Sequence, residues 1–197
     1  MRVTGPYAPL FGIWVGALGG LIYWLAAQLW PSSVAVILAM TATALLTMEL
    51  RPAAATQFDL MGLVLCLLIK YNALMGLSAA KLPFAVPPNV ALGLIMICGY
   101  AASYALLVSM MATASAASTP KIGHGALFVA LAVGFAPAAL LGIPGLIGLA
   151  AAILLGIGLI AFLRRRKIAA AGKPLDLSRL VCEACFYLGA LASWRFV

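Results

Sequence analysis

Acidic side chains are scarce in this chain: Glu49, Asp59, Asp176 and Glu183 are the 4 among 197 residues. Against them stand 12 lysines and arginines, giving a formal net charge of +8. Charged residues of either sign make up only 8%, whereas 66% are hydrophobic. A soluble domain needs a charged surface, and this composition does not supply one. A lone histidine, His124, argues against a histidine-rich metal centre. Cysteine is equally thin. Cys66 and Cys98 fall inside apolar runs, where a thiol behaves as a small apolar group. Cys182 and Cys185 form a C-x-x-C with no second pair, so neither a disulfide framework nor a tetrahedral zinc site is expected. The basic excess lacks the interleaved aromatics of a nucleic-acid groove, and no nucleic-acid partner is expected. Also missing is the polar–apolar alternation of a membrane β-barrel. "MRVTGPYAPLFGIWVGALGG" has one arginine and no small-residue cleavage site after a short apolar stretch, so it reads as a first span rather than a signal peptide.

What the chain has instead is continuous apolar runs and a mean hydropathy of +1.18. In a bilayer each span must satisfy its own backbone hydrogen bonds, which predicts helices. The expected fold is all-α: a polytopic transmembrane helical bundle of about seven spans, forming one integral membrane domain over 1–197. The runs are 9–30, 34–48, 59–80, 89–111, 124–141, 144–163 and 180–194. The last is short for a full crossing. Half of all lysines and arginines, namely Arg164, Arg165, Arg166, Lys167, Lys173 and Arg179, lie in one stretch. Cations are retained in the cytoplasm, so this stretch places the N-terminus and the loops at about 49–58, 112–123 and 164–179 inside. Membrane lipid is then the first partner, with anionic headgroups against the basic loop. Gly12, Gly16 and Gly20 recur every four residues and predict a face that packs closely on another helix.

In that orientation all four acids lie on the side of the arginine run. Asp176 and Glu183 are two helical turns apart and can share a face. Two carboxylates beside cations suit a magnesium ion bridging to phosphate oxygens, with the arginines neutralising a diphosphate. The plainer alternative also fits these residues: the basic run orients the bundle and complements a helix dipole, and Asp176 caps the next helix. Lys70, in "LVLCLLIKYNALMGL", falls near mid-membrane. An ionisable group there is a functional candidate by default. Its alternative is a structural lysine bonded to a carbonyl or to Asn72.

Several of these stretches together resemble one family. "APLFGIWVGALGGLIYWLAA" is similar to the first span of the cobalamin-5′-phosphate synthases, the adenosylcobinamide-GDP ribazoletransferases, with Pro9, Leu10, Gly12 and Gly16 at matching positions. "LLTMELRP" matches the opening of that family's T-G-G-L-H-x-D-G-L-A-D pattern at Thr47 and Leu50, with Glu49 in place of a glycine and Arg51 in place of the histidine. "LVLCLLIKYNAL" resembles a family span that tends to carry a lysine where Lys70 stands. "RRRKIAAAGKPLDLSRLVCEA" resembles a basic run followed by a G-D-x-x-G-A-x-x-E segment, with the Asp176-to-Glu183 spacing kept and Leu175 in place of the glycine. The chain thus looks like a short, divergent member lacking the acidic D-G-x-A-D segment.

The resemblance implies a transferase of late cobalamin biosynthesis in a bacterial inner membrane. It would join adenosylcobinamide-GDP to α-ribazole or its 5′-phosphate and release GMP, with magnesium as cofactor and corrinoid and nucleotide substrates as partners. Carried onto this chain, it implies Asp176 and Glu183 as metal ligands, with Glu49 and Asp59 as further candidates. It implies Arg164, Arg165, Arg166, Lys167 and Arg51 as phosphate contacts, and Lys70 as a buried partner. Two other readings stand beside it. One is a family relative without catalysis, a scaffold or accessory membrane protein that retains the bundle but not the acidic loop, with a homo-oligomer or a partner subunit left open. The other is a small transporter using Lys70 and Ser115–Thr119 as a path, for which no internal repeat is visible.

Overall fold

The computed structural model describes residues 7–47, 57–79, 87–113, 123–165 and 173–194, with side chains described except at 57–60, 89, 163–165, 173–176 and 194. Among these residues every regular element is an α-helix. The helices are α1 (Ala8–Ala26), α2 (Ser32–Thr47), α3 (Gln57–Ser78), α4 (Pro88–Thr113), α5 (His124–Leu140), α6 (Ile143–Arg165) and α7 (Lys173–Trp194). Among the described residues, four segments are long and apolar enough to cross a membrane: Ala8–Ala26, Met61–Ser78, Val90–Thr113 and Ile143–Phe162. The helices of α2 and α5 are apolar but shorter. The chain is an α-helical membrane protein, as its composition predicts.

Breaks between helices follow the punctuating residues. Past α1 the backbone winds on to the Trp30 N–H, which bonds the Ala26 carbonyl at 2.9 Å, and Pro31 ends the run. Between α5 and α6, Gly142 takes φ 73°, the left-handed position that closes a helix, and Pro144 then lies in the first turn of α6.

The core is α4, largely enclosed and in contact with α1, α3, α5, α6 and α7. Its most extensive partner is α1. There the glycine face works as its spacing predicts. A Cβ at Gly12 would lie 2.7 Å from the Tyr100 carbonyl oxygen, at Gly16 2.6 Å from Ile97 Cα, and at Gly20 2.8 Å from Gly93 Cα. Lipid tails are as apolar as leucine, so close backbone approach and van der Waals packing must supply what burial supplies in water. The descending numbers on α4 show that the two helices run antiparallel.

Three further registers place the remaining helices that matter. Gly62 faces Leu177 and Gly76 faces Leu191, so α3 and α7 lie side by side in the same direction. Gly99 of α4 meets Tyr187, while Arg179 lies over Tyr104, so α7 runs against α4. Gly148 meets Phe186 and Gly156 meets Cys182, so α6 also runs against α7. The N-terminal ends of α1, α3 and α7 and the C-terminal ends of α4 and α6 therefore share one end of the bundle.

One boundary differs from the sequence expectation. The last helix starts at Lys173, not near Leu180 where the apolar run begins. Its first turns carry Lys173, Asp176 and Arg179, which would be costly against lipid. Ser178, Arg179, Leu180, Cys182, Glu183 and Ala184 are buried by neighbouring helices instead, so hydropathy understates this helix.

Candidate functional site

Charge inside the bundle is concentrated where α3, α4 and α7 meet. Lys70 is 1% exposed and Glu183 0%. The Lys70 ammonium sits 2.7 Å from Glu183 Oε1 and also donates to Tyr100 Oη at 2.7 Å. The Tyr187 hydroxyl donates to the same Glu183 oxygen at 3.0 Å. Facing the second oxygen, Oε2, is Arg179 Nη1 at 3.8 Å. The Arg179 guanidinium rests over the Tyr104 ring, 4.7 Å from its centroid, and Lys70 lies 4.5 Å from the Tyr100 centroid.

Each part follows from local sequence. Arg179, Glu183 and Tyr187 recur at four-residue intervals on α7 and so share a face. Tyr100 and Tyr104 do the same on α4. Gly99 leaves room for Tyr187: a Cβ there would lie 2.5 Å from Tyr187 Cε1. A lone lysine at mid-helix costs about 2.5–3.5 kcal/mol on insertion scales. An opposite charge with hydroxyl partners offsets that cost, and the low dielectric strengthens each contact.

The candidates named from sequence are distributed as follows. Glu49, Arg51, Arg166, Lys167 and Ser115–Thr119 lie outside the described residues. Asp59 lies on the first turn of α3, Asp176 on the first turn of α7, and Arg164 and Arg165 on the last turn of α6. The shared direction of α3 and α7 and the opposed direction of α6 bring these four positions to the same end. Glu183 is elsewhere, about 10 Å deeper along α7 than Asp176. It is placed as the partner of Lys70. A carboxylate with an ammonium on one oxygen and a guanidinium facing the other does not suit a divalent cation, and Oε2 accepts no hydrogen bond among the described residues. Among those residues, no three His, Cys, Asp or Glu side chains gather as a metal site. Asn72 does not pair with Lys70. It is exposed and donates to the Leu68 carbonyl of its own helix at 2.8 Å.

Sequence reasoning missed Arg179, Tyr100, Tyr104 and Tyr187. The available signal was the polar stripe Asp176, Arg179, Glu183 and Tyr187 on an otherwise apolar helix.

Fold and site together define an α-helical integral membrane protein with a buried ion pair beneath a charged end. Part of it is similar to an adenosylcobinamide-GDP ribazoletransferase of Leptothrix cholodnii, with 53% identity over 47 residues. That match covers 24% of this chain and 18% of the relative's length. No family model matches the chain, and no solved structure matches it.

Proposed function

We propose that this chain is a membrane-bound transferase of the adenosylcobinamide-GDP ribazoletransferase type, acting in cobalamin biosynthesis at a bacterial inner membrane. The observation that carries the reading is the 53% identity over 47 residues to a transferase of that name. Supporting it is the convergence of Asp59, Asp176, Arg164 and Arg165 on one end of the bundle.

In this reading a free ribose hydroxyl of α-ribazole, or of its 5′-phosphate, attacks the corrinoid-side phosphorus of adenosylcobinamide-GDP. The new P–O bond forms as the bond to GMP breaks. GMP leaves with the electron pair, and the attacking hydroxyl's proton goes to solvent. Such transfer depends on positioning and on neutralising the diphosphate oxygens. Arg164, Arg165, Arg166, Lys167 and Arg51 are assigned to those oxygens. Asp176, Asp59 and Glu49 are assigned to hold magnesium, which when bound supplies further charge neutralisation. Glu183 is assigned to Lys70 rather than to the metal.

The test is turnover by the purified protein in lipid nanodiscs with magnesium, α-ribazole and adenosylcobinamide-GDP. Release of GMP together with a cobalamin product is expected. No product above a protein-free control, under conditions where a full-length transferase works, overturns the reading. A second reading, an accessory relative without catalysis, is favoured by one specific feature: "LLTMELRPAAATQFD" lacks the acidic D-G-x-A-D segment. Product formed only when a second membrane protein is added would favour it.

A further inference from the structure

We infer that the buried Lys70–Glu183 pair is a positioning device that fixes the axial register of α3 against α7, and thereby holds Asp59 and Asp176 level at the charged end. The register part stands on the structure alone; the part concerning a metal rests on the transferase reading above.

Among the described residues, the other polar contacts from α3 to neighbouring helices are the Lys70–Tyr100 hydrogen bond to α4 and a Ser78–Tyr23 hydrogen bond to α1, and neither reaches α7. Met61, Val64, Leu65 and Leu68 are exposed on the outer side of α3. Its inner side packs mainly on α7, with smaller contacts to α2 and α4. Those α7 contacts are apolar, such as Gly62 on Leu177 and Gly76 on Leu191. In lipid an apolar helix surface finds tails as good a partner as another helix, so such contacts oppose sliding weakly. A 2.7 Å ion pair is satisfied in one register only. Slippage by one turn, about 5.4 Å, would separate the Lys70 ammonium from Glu183 and leave that carboxylate only Arg179 and Tyr187 of its own helix. Fixing register is the best-attested use of a buried polar pair.

The consequence lies at the charged end. Asp59 is about 4.5 Å beyond Gly62 along α3, and Asp176 about 1.5 Å beyond Leu177 along α7. Gly62 and Leu177 face each other, so the two aspartate positions sit within one turn of the same level. A single divalent ion reaching both needs that coincidence.

The experiment uses the full chain in nanodiscs, with native cysteines replaced and spin labels at positions 59 and 176, read by EPR distance measurement. The parent gives one narrow distance. The double variant Lys70→Met/Glu183→Met removes the pair at similar volume but leaves the buried Arg179 without its carboxylate, so a lower unfolding temperature is expected. Its distance distribution should broaden or shift by about one helical turn. A control, Gly20→Ala, loosens α1 against α4 and should lower the unfolding temperature while leaving the distance unchanged. An unchanged narrow distance in the double variant overturns the inference. So does a distance disturbed equally by Gly20→Ala.

A second arm uses Mn2+ as probe on a chain with both aspartates. Binding should weaken at least about tenfold in the double variant. If the parent binds no Mn2+, the metal part of the transferase reading fails, while the distance arm still decides the register.

Discussion

Lys70 on α3 and Glu183 on α7 meet at 2.7 Å with both residues almost wholly enclosed. Breaking such a pair from one side strands the other charge. Lys70→Met or Glu183→Gln alone should therefore cost about 3–5 kcal/mol. Replacing both by methionine should cost less than the sum of the two, with a remaining loss from Arg179, which stays buried without its carboxylate. Thermal unfolding in detergent compares the three variants; a loss in the double variant equal to the sum of the single losses would contradict the pairing.

Tyr187 depends on the glycine opposite it. Gly99→Ala places a Cβ 2.5 Å from Tyr187 Cε1 and should destabilise by about 1–3 kcal/mol. Adding Tyr187→Leu removes the ring that clashes, so the double variant should lose less than the sum of the singles. Tyr187→Phe alone should cost about 1.5–3 kcal/mol, the usual worth of a hydrogen bond to a charged group. Unfolding of the four proteins, compared as a cycle, checks this.

Position along the chain predicts which glycines tolerate a side chain. Gly16→Val drives its Cβ to 2.6 Å from Ile97 Cα, backbone that has no freedom to yield, so the folded fraction should fall sharply. Gly158 has nothing within 4 Å of the same atom, and Gly158→Val should be tolerated. Size-exclusion profiles of the two variants, purified in parallel, give the comparison. Similar loss in both would contradict the α1–α4 packing.

Asp59 and Asp176 carry the weight of the proposed chemistry. Asp176→Ala and Asp59→Ala should each lower GMP release by about 100-fold or more, since transition-state charge would go uncompensated. Both should unfold within about 1 kcal/mol of the parent, the usual worth of a first-turn carboxylate against the helix dipole. Turnover and unfolding are measured on the same preparations. Unchanged turnover in Asp176→Ala would remove it from the site.

How far the residues announce this structure varies by feature. Helicity and membrane residence are legible because uninterrupted apolar runs have few other solutions in lipid. Gly12, Gly16 and Gly20 are legible as a contact face from their four-residue spacing, but nothing in the sequence says that α4 rather than another apolar helix receives them. Lys70 stands out as a charge too costly to leave alone. Glu183 is hidden as its partner, because the pairing needs α3 and α7 to run side by side, a fact of topology rather than of local pattern. The same ignorance sends the α7 boundary to Leu180, where hydropathy begins, although the burial of Arg179 and Glu183 by protein lets the helix start at Lys173.

Side-selective labelling most directly tests whether the carboxylates and the basic run share one end of the bundle. Single cysteines at positions 59, 165 and 176 of an otherwise cysteine-free chain would be probed in sealed vesicles with a membrane-impermeant maleimide. All three should react from the same face, the cytoplasmic one. Labelling of position 59 or 176 from the face opposite to 165 would contradict the arrangement on which the proposed chemistry rests.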